Sequence, residues 1–262
     1  MDEPYQLRST TRFDPYLQSL NWNNDSHGPS PFFLLPLHLE RLLAAAEKHN
    51  WFLAKSTLKY NTLKGKCLDA IADQRVKGST AVAFRVQITL SVDGQLVVVA
   101  FHLPESFRSD PTELARRRLP APGVDVDLVS GLKVYLDKEP TQPTVFTQTK
   151  TTLRGVYDRT KKRLEQKAKD TPSSNWDVLL YNYDGEIMEA SIFNVAFYRS
   201  SAWVTPSLNT GCLAGVMRRW LLEKGRIKED TEGVLTKDTI KAGEWVLLFN
   251  GLQGCRLGKI YM

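Results

Sequence analysis

Sulfur is scarce in this chain, which has three cysteines, Cys67, Cys212 and Cys255, and four methionines among 262 residues. The cysteines are far apart and odd in number, and no Cys/His cluster has metal-ligand spacing. Neither a disulfide framework nor a metal site is expected. Long apolar runs are also missing. No stretch approaches the roughly 20 uninterrupted apolar residues that span a bilayer, and the opening MDEPYQLRSTTRFDP has neither an apolar core region nor a small-residue cleavage site. The sequence reads as a soluble, cytoplasmic protein with no membrane partner. Nor does one sign of charge dominate, since 35 Lys and Arg stand against 29 Asp and Glu. The densest basic run, Lys161, Lys162 and Arg163, falls in a stretch of helical character and reads as a solvated face, so no nucleic-acid partner is expected. Internal repeats and low-complexity tracts are absent.

What is present is a patterned globular sequence, 42% hydrophobic and long enough for one large domain or two smaller ones. HLERLLAAAEKHNWFL puts Leu39, Leu42, Leu43 and Ala46 at helical spacing, predicting an amphipathic helix. A second helix is expected from about Leu58 to Arg75. AVAFRVQITLSV and QLVVVAFHL alternate on either side of Asp93-Gly94, predicting a hairpin. These make a small α+β domain over 1–118. The Pro- and Gly-rich tract that follows suggests an interdomain linker at 119–130, and a larger domain is expected over 131–262. There TKTTLRGVYDRTKKRLEQKAK reads as one long helix, WDVLLYN, SIFNVAFYR and AWVTP as strands, and GVMRRWLLEKG as a helix. A short helix around KDTIKAG and two last strands, EWVLLFN and CRLGKIY, follow. The polar, turn-rich segment from Asn21 to Pro31 reads as a surface loop.

Three segments can carry chemistry. Lys150, in QTKTTLR, reads as the start of a helix, where the positive end of the dipole favours a free amine; a free amine is what imine formation requires, although a surface lysine fits the segment as well. Glu189, between hydrophobic residues in DGEIMEASIFNVAF, calls for a cationic partner if buried, or is an exposed strand-end glutamate. TPSLNTGCLAGVMR is a glycine-containing turn feeding a helix, either a phosphate-binding start or a plain junction. It is not a P-loop, because the lysine and hydroxyl of that motif are missing.

Taken in order, KTTLR, DGEIMEASIFNVAF, VTPSLNTGCLAGVMRRWLLE and FNGLQGCRLG resemble the class-IV aminotransferase family, the fold type IV enzymes of pyridoxal 5′-phosphate. HLERL and STTR extend the likeness into the first half of the chain. The resemblance implies a two-domain α+β fold like that of D-amino acid aminotransferase, with a larger mixed α/β domain that binds cofactor, and a homodimer. It makes Lys150 the Schiff-base lysine and Glu189 the partner of the pyridine nitrogen. Arg41, the backbone at Gly215, Val216 and Met217, and Asn250-Gly251 would bind the phosphate, with Asn194 among the cofactor contacts. Met217 and Gly251 depart from the threonines that many relatives carry, which leaves backbone contacts there. Within the family, KTTLRGVYD and DGEIMEAS look most like the fungal 4-amino-4-deoxychorismate lyases, which eliminate pyruvate to give 4-aminobenzoate, a folate precursor. Such a substrate has a primary amine and two carboxylates. Arg12, Arg85 and Arg154 are candidates to bind the carboxylates, and Thr10 is a candidate hydrogen-bond partner near the reacting proton. The alternatives are a transaminase acting on D-amino acids, branched-chain amino acids or (R)-amines, and a non-enzymatic descendant, against which the retention of Lys150 and Glu189 argues.

Overall fold

The computed structural model describes residues 4–103, 109–116, 131–166 and 168–262. Two compact units emerge. The first holds residues 1–110 together with 149–153 and 251–253, and the second holds 111–148, 154–250 and 254–262. Neither is contiguous in sequence. The expected linker, 119–130, lies outside the described residues.

The first unit is a three-stranded antiparallel sheet backed by helices. β1 (Leu7–Phe13) is followed by the two-residue strands β2 (Asn24–Asp25) and β3 (Gly28–Pro29), then by α1 (Leu35–Lys48), α2 (Phe52–Thr57), α3 (Tyr60–Val76), β4 (Phe84–Leu90) and β5 (Leu96–His102). The sheet order is β1-β4-β5. The expected hairpin is present, and Gly94 at its turn has a φ of +83°, a conformation glycine adopts without strain. Alternation sorts β4: Phe84, Val86, Ile88 and Leu90 join a core with Leu35, Leu42, Ala45, Leu63 and Ile71 of the helices. The first helix stops earlier than its apolar pattern suggests, because Asn50 takes φ +58° just past its end and the Trp51 N–H returns to the Ala46 carbonyl. The segment read as a surface loop holds the small β2–β3 ladder, and its Asn23 is buried, with Nδ2 donating to the carbonyls of Ser30 and Phe32.

The second unit is built on an eight-stranded mixed sheet. In chain order it contains β6 (Leu132–Leu136), α4 (Val145–Gln148), α5 (Gly155–Leu164), β7 (Trp176–Tyr181), β8 (Ile187–Ala190), β9 (Asn194–Arg199), β10 (Ala202–Thr205), α6 (Val216–Glu223), β11 (Lys228–Glu229), β12 (Trp245–Asn250) and β13 (Gly254–Tyr261). The sheet runs β11-β10-β9-β12-β13-β6-β7-β8. It curls, so that Ile187 and Ala190 of β8 share a core with Val195 and Phe197 of β9, Val246 and Leu248 of β12, and Val134 of β6.

Three expectations are corrected. The long helix after Lys150 is only α5, beginning at Gly155, because Thr151 and Thr152 are drawn into strand-like pairing described below. SIFNVAFYR is not one strand: Ala190 N–H bonds to the Phe193 carbonyl, closing a turn between β8 and β9. KDTIKAG forms turns rather than a helix, with the Thr239 hydroxyl satisfying the carbonyls of Val234 and Thr236.

Gly258 of β13 lies in a crowded part of this sheet. A Cβ there would meet Leu248 Cδ1 at 2.7 Å, Val134 Cγ2 at 2.9 Å and the Leu132 carbonyl at 3.0 Å. Gly258→Ala should therefore destabilise the protein by about 1–3 kcal/mol, measured as a lower denaturant midpoint with an unchanged slope.

Candidate functional site

In the first unit, residue parity along β1 separates two sets of polar groups. Ser9 and Thr11 turn toward the helical side, where the Thr11 hydroxyl donates to the Phe33 carbonyl at 2.8 Å. Ser9 Oγ lies 2.8 Å from His38 Nδ1 and accepts from Arg41 Nη2 at 2.6 Å. The alternate residues Arg8, Thr10 and Arg12 share the other face. Arg12 pairs directly across from Arg85 of β4, and like charges placed opposite one another on one face repel. The Arg12 side chain is buried, 3.9 Å from Asp14, and burial lowers its pKa to about 10. Arg85 stacks over the Phe101 ring at 4.4 Å.

Lys150 belongs to this unit. Its carbonyl accepts from the Arg8 N–H at 2.8 Å, and the Thr152 N–H donates to the Gln6 carbonyl at 2.9 Å, so residues 150–152 extend the start of β1 as an antiparallel partner. Next to it, Thr149 Oγ1 lies 2.8 Å from His49 Nε2, and His49 Nδ1 is 2.7 Å from the Tyr5 hydroxyl. Lys150 is therefore not at a helix start. The dipole of α5 does not reach it, since such effects fade within the first turn.

In the second unit, Glu189 is 3% exposed, which excludes the exposed strand-end alternative. Its oxygens accept from the Tyr157 hydroxyl at 2.8 Å and from Asn194 Nδ2 at 3.3 Å. Asn194 Nδ2 also donates to the Leu213 carbonyl at 2.9 Å. Burial, then the Glu189 charge, push the Tyr157 phenol well above its ordinary pKa, so it stays a donor. Asn194 Oδ1 occupies the position a Cβ would need at 215, which requires glycine there. Gly215 precedes α6 with no side-chain cap and no acidic residue in the first turn, leaving the first N–H groups around Val216 and Met217 without a side-chain acceptor from the cap. Asn250 Nδ2 donates to the Ile192 carbonyl at 3.2 Å. Arg154 donates to the Ser191 carbonyl at 2.9 Å and stacks over Tyr157 at 5.0 Å.

Thus the first unit brings together Thr10, Arg12, Arg41, Arg85, Lys150 and Gly251, and the second Arg154, Glu189, Asn194, Gly215, Val216, Met217 and Asn250. Sequence reasoning missed Tyr157, His38 and His49, and gave Ser9, within STTR, no role of its own. A histidine on the apolar face of α1 was the one available signal. These groups fit pyridoxal 5′-phosphate: the buried carboxylate could pair with a protonated ring nitrogen, and an uncapped helix start and an arginine suit a phosphate. Among the described residues, no group of three or more His, Cys, Asp or Glu could hold a metal ion, and no helix is long and apolar enough to cross a membrane.

A model of the class-IV amino-transferase family matches residues 20–259. The chain is 36% identical over 223 residues to a Schizosaccharomyces pombe protein named "Putative aminodeoxychorismate lyase", covering 84% of this chain and 81% of that one. It is 37% identical over 150 residues to the aminodeoxychorismate lyase of Saccharomyces cerevisiae, covering 53% and 39%. The solved branched-chain amino acid aminotransferase of Escherichia coli superposes with a TM-score of 0.63 at 14% identity, over 98% of this chain and 77% of that one. At that identity the likeness concerns the fold.

His38 gives the first unit a pH dependence. Burial first, then the charge of Arg41, pushes its imidazole well below the usual 6.5. Below that pH the unfolded chain takes up a proton that the native state does not, so stability falls as pH drops, by up to about 1.4 kcal/mol per pH unit. Denaturant midpoints compared between about pH 7 and pH 5 should show this fall, and His38→Asn should reduce it.

Proposed function

Because the chain belongs to the class-IV amino-transferase family, whose enzymes depend on pyridoxal 5′-phosphate, we propose that it is a lyase that eliminates pyruvate from 4-amino-4-deoxychorismate and releases 4-aminobenzoate. The observation that carries the choice of lyase over transaminase is the S. pombe relative so named, which matches 84% of the chain at 36% identity. Bound in the site, pyridoxal 5′-phosphate supplies an aldehyde for the substrate amine and a protonated ring that draws electrons from the neighbouring carbon.

The chain's residues do the rest. Lys150 would hold the cofactor covalently through its Nζ. The free Nζ is the base that removes the proton at the substrate's C4 and returns a proton to the departing enolpyruvyl group, which leaves as pyruvate. Glu189, fixed by Tyr157 and Asn194, keeps a proton on the ring nitrogen. Arg41, the α6 start at Gly215, Val216 and Met217, and the backbone at Asn250 and Gly251 hold the phosphate. Of the candidate arginines, Arg12 and Arg85 are register partners across β1 and β4, with Arg12 near Asp14 and Arg85 over Phe101, and Arg154 is engaged with Ser191 and Tyr157. The Thr10 hydroxyl, on the same face as Arg12, orients the reacting centre. A homodimer belongs to the same reading, supported by the apolar stripe of Val97, Val99 and Phe101, each 40% exposed along the edge strand β5.

Three measurements test the proposal. Borohydride reduction of the loaded protein should fix the cofactor to a peptide containing Lys150; attachment to another lysine would reject its role. Given aminodeoxychorismate and no keto acid, the protein should release 4-aminobenzoate and pyruvate in equal amounts over many turnovers. Rapid conversion of the cofactor to its amine form by D-alanine or an (R)-amine, with no aromatic product, would reassign it as a transaminase. Glu189→Gln should retain cofactor and lose turnover.

A further inference from the structure

The first unit contains a buried group that the chemistry above does not use. His38 is wholly buried on the face of α1 that also presents Arg41 one turn later. Ser9, from β1, lies between them, accepting from Arg41 Nη2 at 2.6 Å while its oxygen stands 2.8 Å from His38 Nδ1. A serine hydroxyl has one proton to give. With Arg41 donating to that oxygen, the proton goes to His38 Nδ1, and the neutral imidazole carries its own on Nε2. On that side the ring lies against Gly251, where an added Cβ would come within 2.7 Å of His38 Cε1 and 2.9 Å of Nε2. Arg41 Nε is buried with no hydrogen-bond partner among the described residues.

We propose that His38 is a positioning residue that fixes Arg41 through Ser9 and, by filling the space beside residue 251, makes glycine obligatory there. A serine alone can turn about χ1 and redirect its hydroxyl. Held by the imidazole, it offers its oxygen to Arg41 in one direction, so the guanidinium is aimed before any phosphate arrives. The cost of misaiming then falls on phosphate binding rather than on the fold. The inference rests on the reading that Arg41 holds the cofactor phosphate.

The test compares how tightly the apoprotein binds pyridoxal 5′-phosphate and pyridoxal, which lacks the phosphate. Ser9→Ala and His38→Leu should each reduce the preference for the phosphorylated form by about tenfold. His38→Asn, which keeps a hydrogen-bonding atom near the Nδ1 position, should retain it. Gly251→Ala should reduce the preference in the native background. In the His38→Asn background it should not, because the shorter side chain has no atoms where Cε1 and Nε2 were. Apoprotein unfolding midpoints identify any variant that fails to fold, and Ser9→Ala, the mildest change, carries the test if His38→Leu does. An unchanged preference in Ser9→Ala, or equal effects of Gly251→Ala in both backgrounds, overturns the proposal while the function stands. If Arg41→Ala itself keeps the preference, the phosphate role of Arg41 falls and the proposal with it.

Discussion

Two backbone hydrogen bonds decide where Lys150 resides in this protein. The Arg8 N–H to the Lys150 carbonyl and the Thr152 N–H to the Gln6 carbonyl add residues 150–152 to the start of β1, and the Gln6 N–H donates in turn to the Thr152 hydroxyl at 3.0 Å. The segment is thereby taken out of the unit to which its sequence neighbours on both sides belong. Backbone pairing of this kind does not depend on side-chain identity beyond a preference for β-branched residues, which Thr149, Thr151 and Thr152 supply. The pairing runs through the backbone of residues 150–152.

The second unit handles the opposite problem, a negative charge taken out of water. Glu189 receives donors from α5 and from β9, and burial of a carboxylate without such donors costs several kcal/mol, roughly. The turn that follows β8 is held by a second buried acid, Asp177, which accepts from the Ser191 hydroxyl and from the N–H groups of Val178 and Ile192; burial pushes its carboxyl upward. Arg154 and Asn250 bind the carbonyls of the same turn. Three side chains distant in sequence, Asp177, Arg154 and Asn250, therefore fix Ser191 and Ile192, two and three residues beyond Glu189.

Much of this was legible in the sequence, and the failures have local causes. The hairpin at Asp93-Gly94 and the strands β7, β10, β12 and β13 were readable because alternation and glycine turns are short-range signals. Glu189 and the α6 start stood out as a polar residue and a glycine in apolar surroundings. The region around Lys150 was misread because its threonines and charges suit a helix start as well as an edge pairing, and only the distant Gln6–Arg8 segment decides between them. Tyr157 was passed over because its partner lies 32 residues away. His38 sat unnoticed within a helix pattern whose apolar positions it interrupts, since nothing local says that Ser9 will meet it.

The discontinuity of the first unit has a bearing on how the chain is made. On the ribosome, residues 1–110 emerge before the strand partner that carries Lys150, which follows only after the second unit has begun, and Gly251–Gln253 follow only after most of that unit. His38 meets the backbone it packs against only then. Until then the helices and hairpin can fold around their apolar core while the space beside His38 stands open. A chain stopped before Gly251 would therefore carry much of the first unit's core without the backbone that lies beside His38.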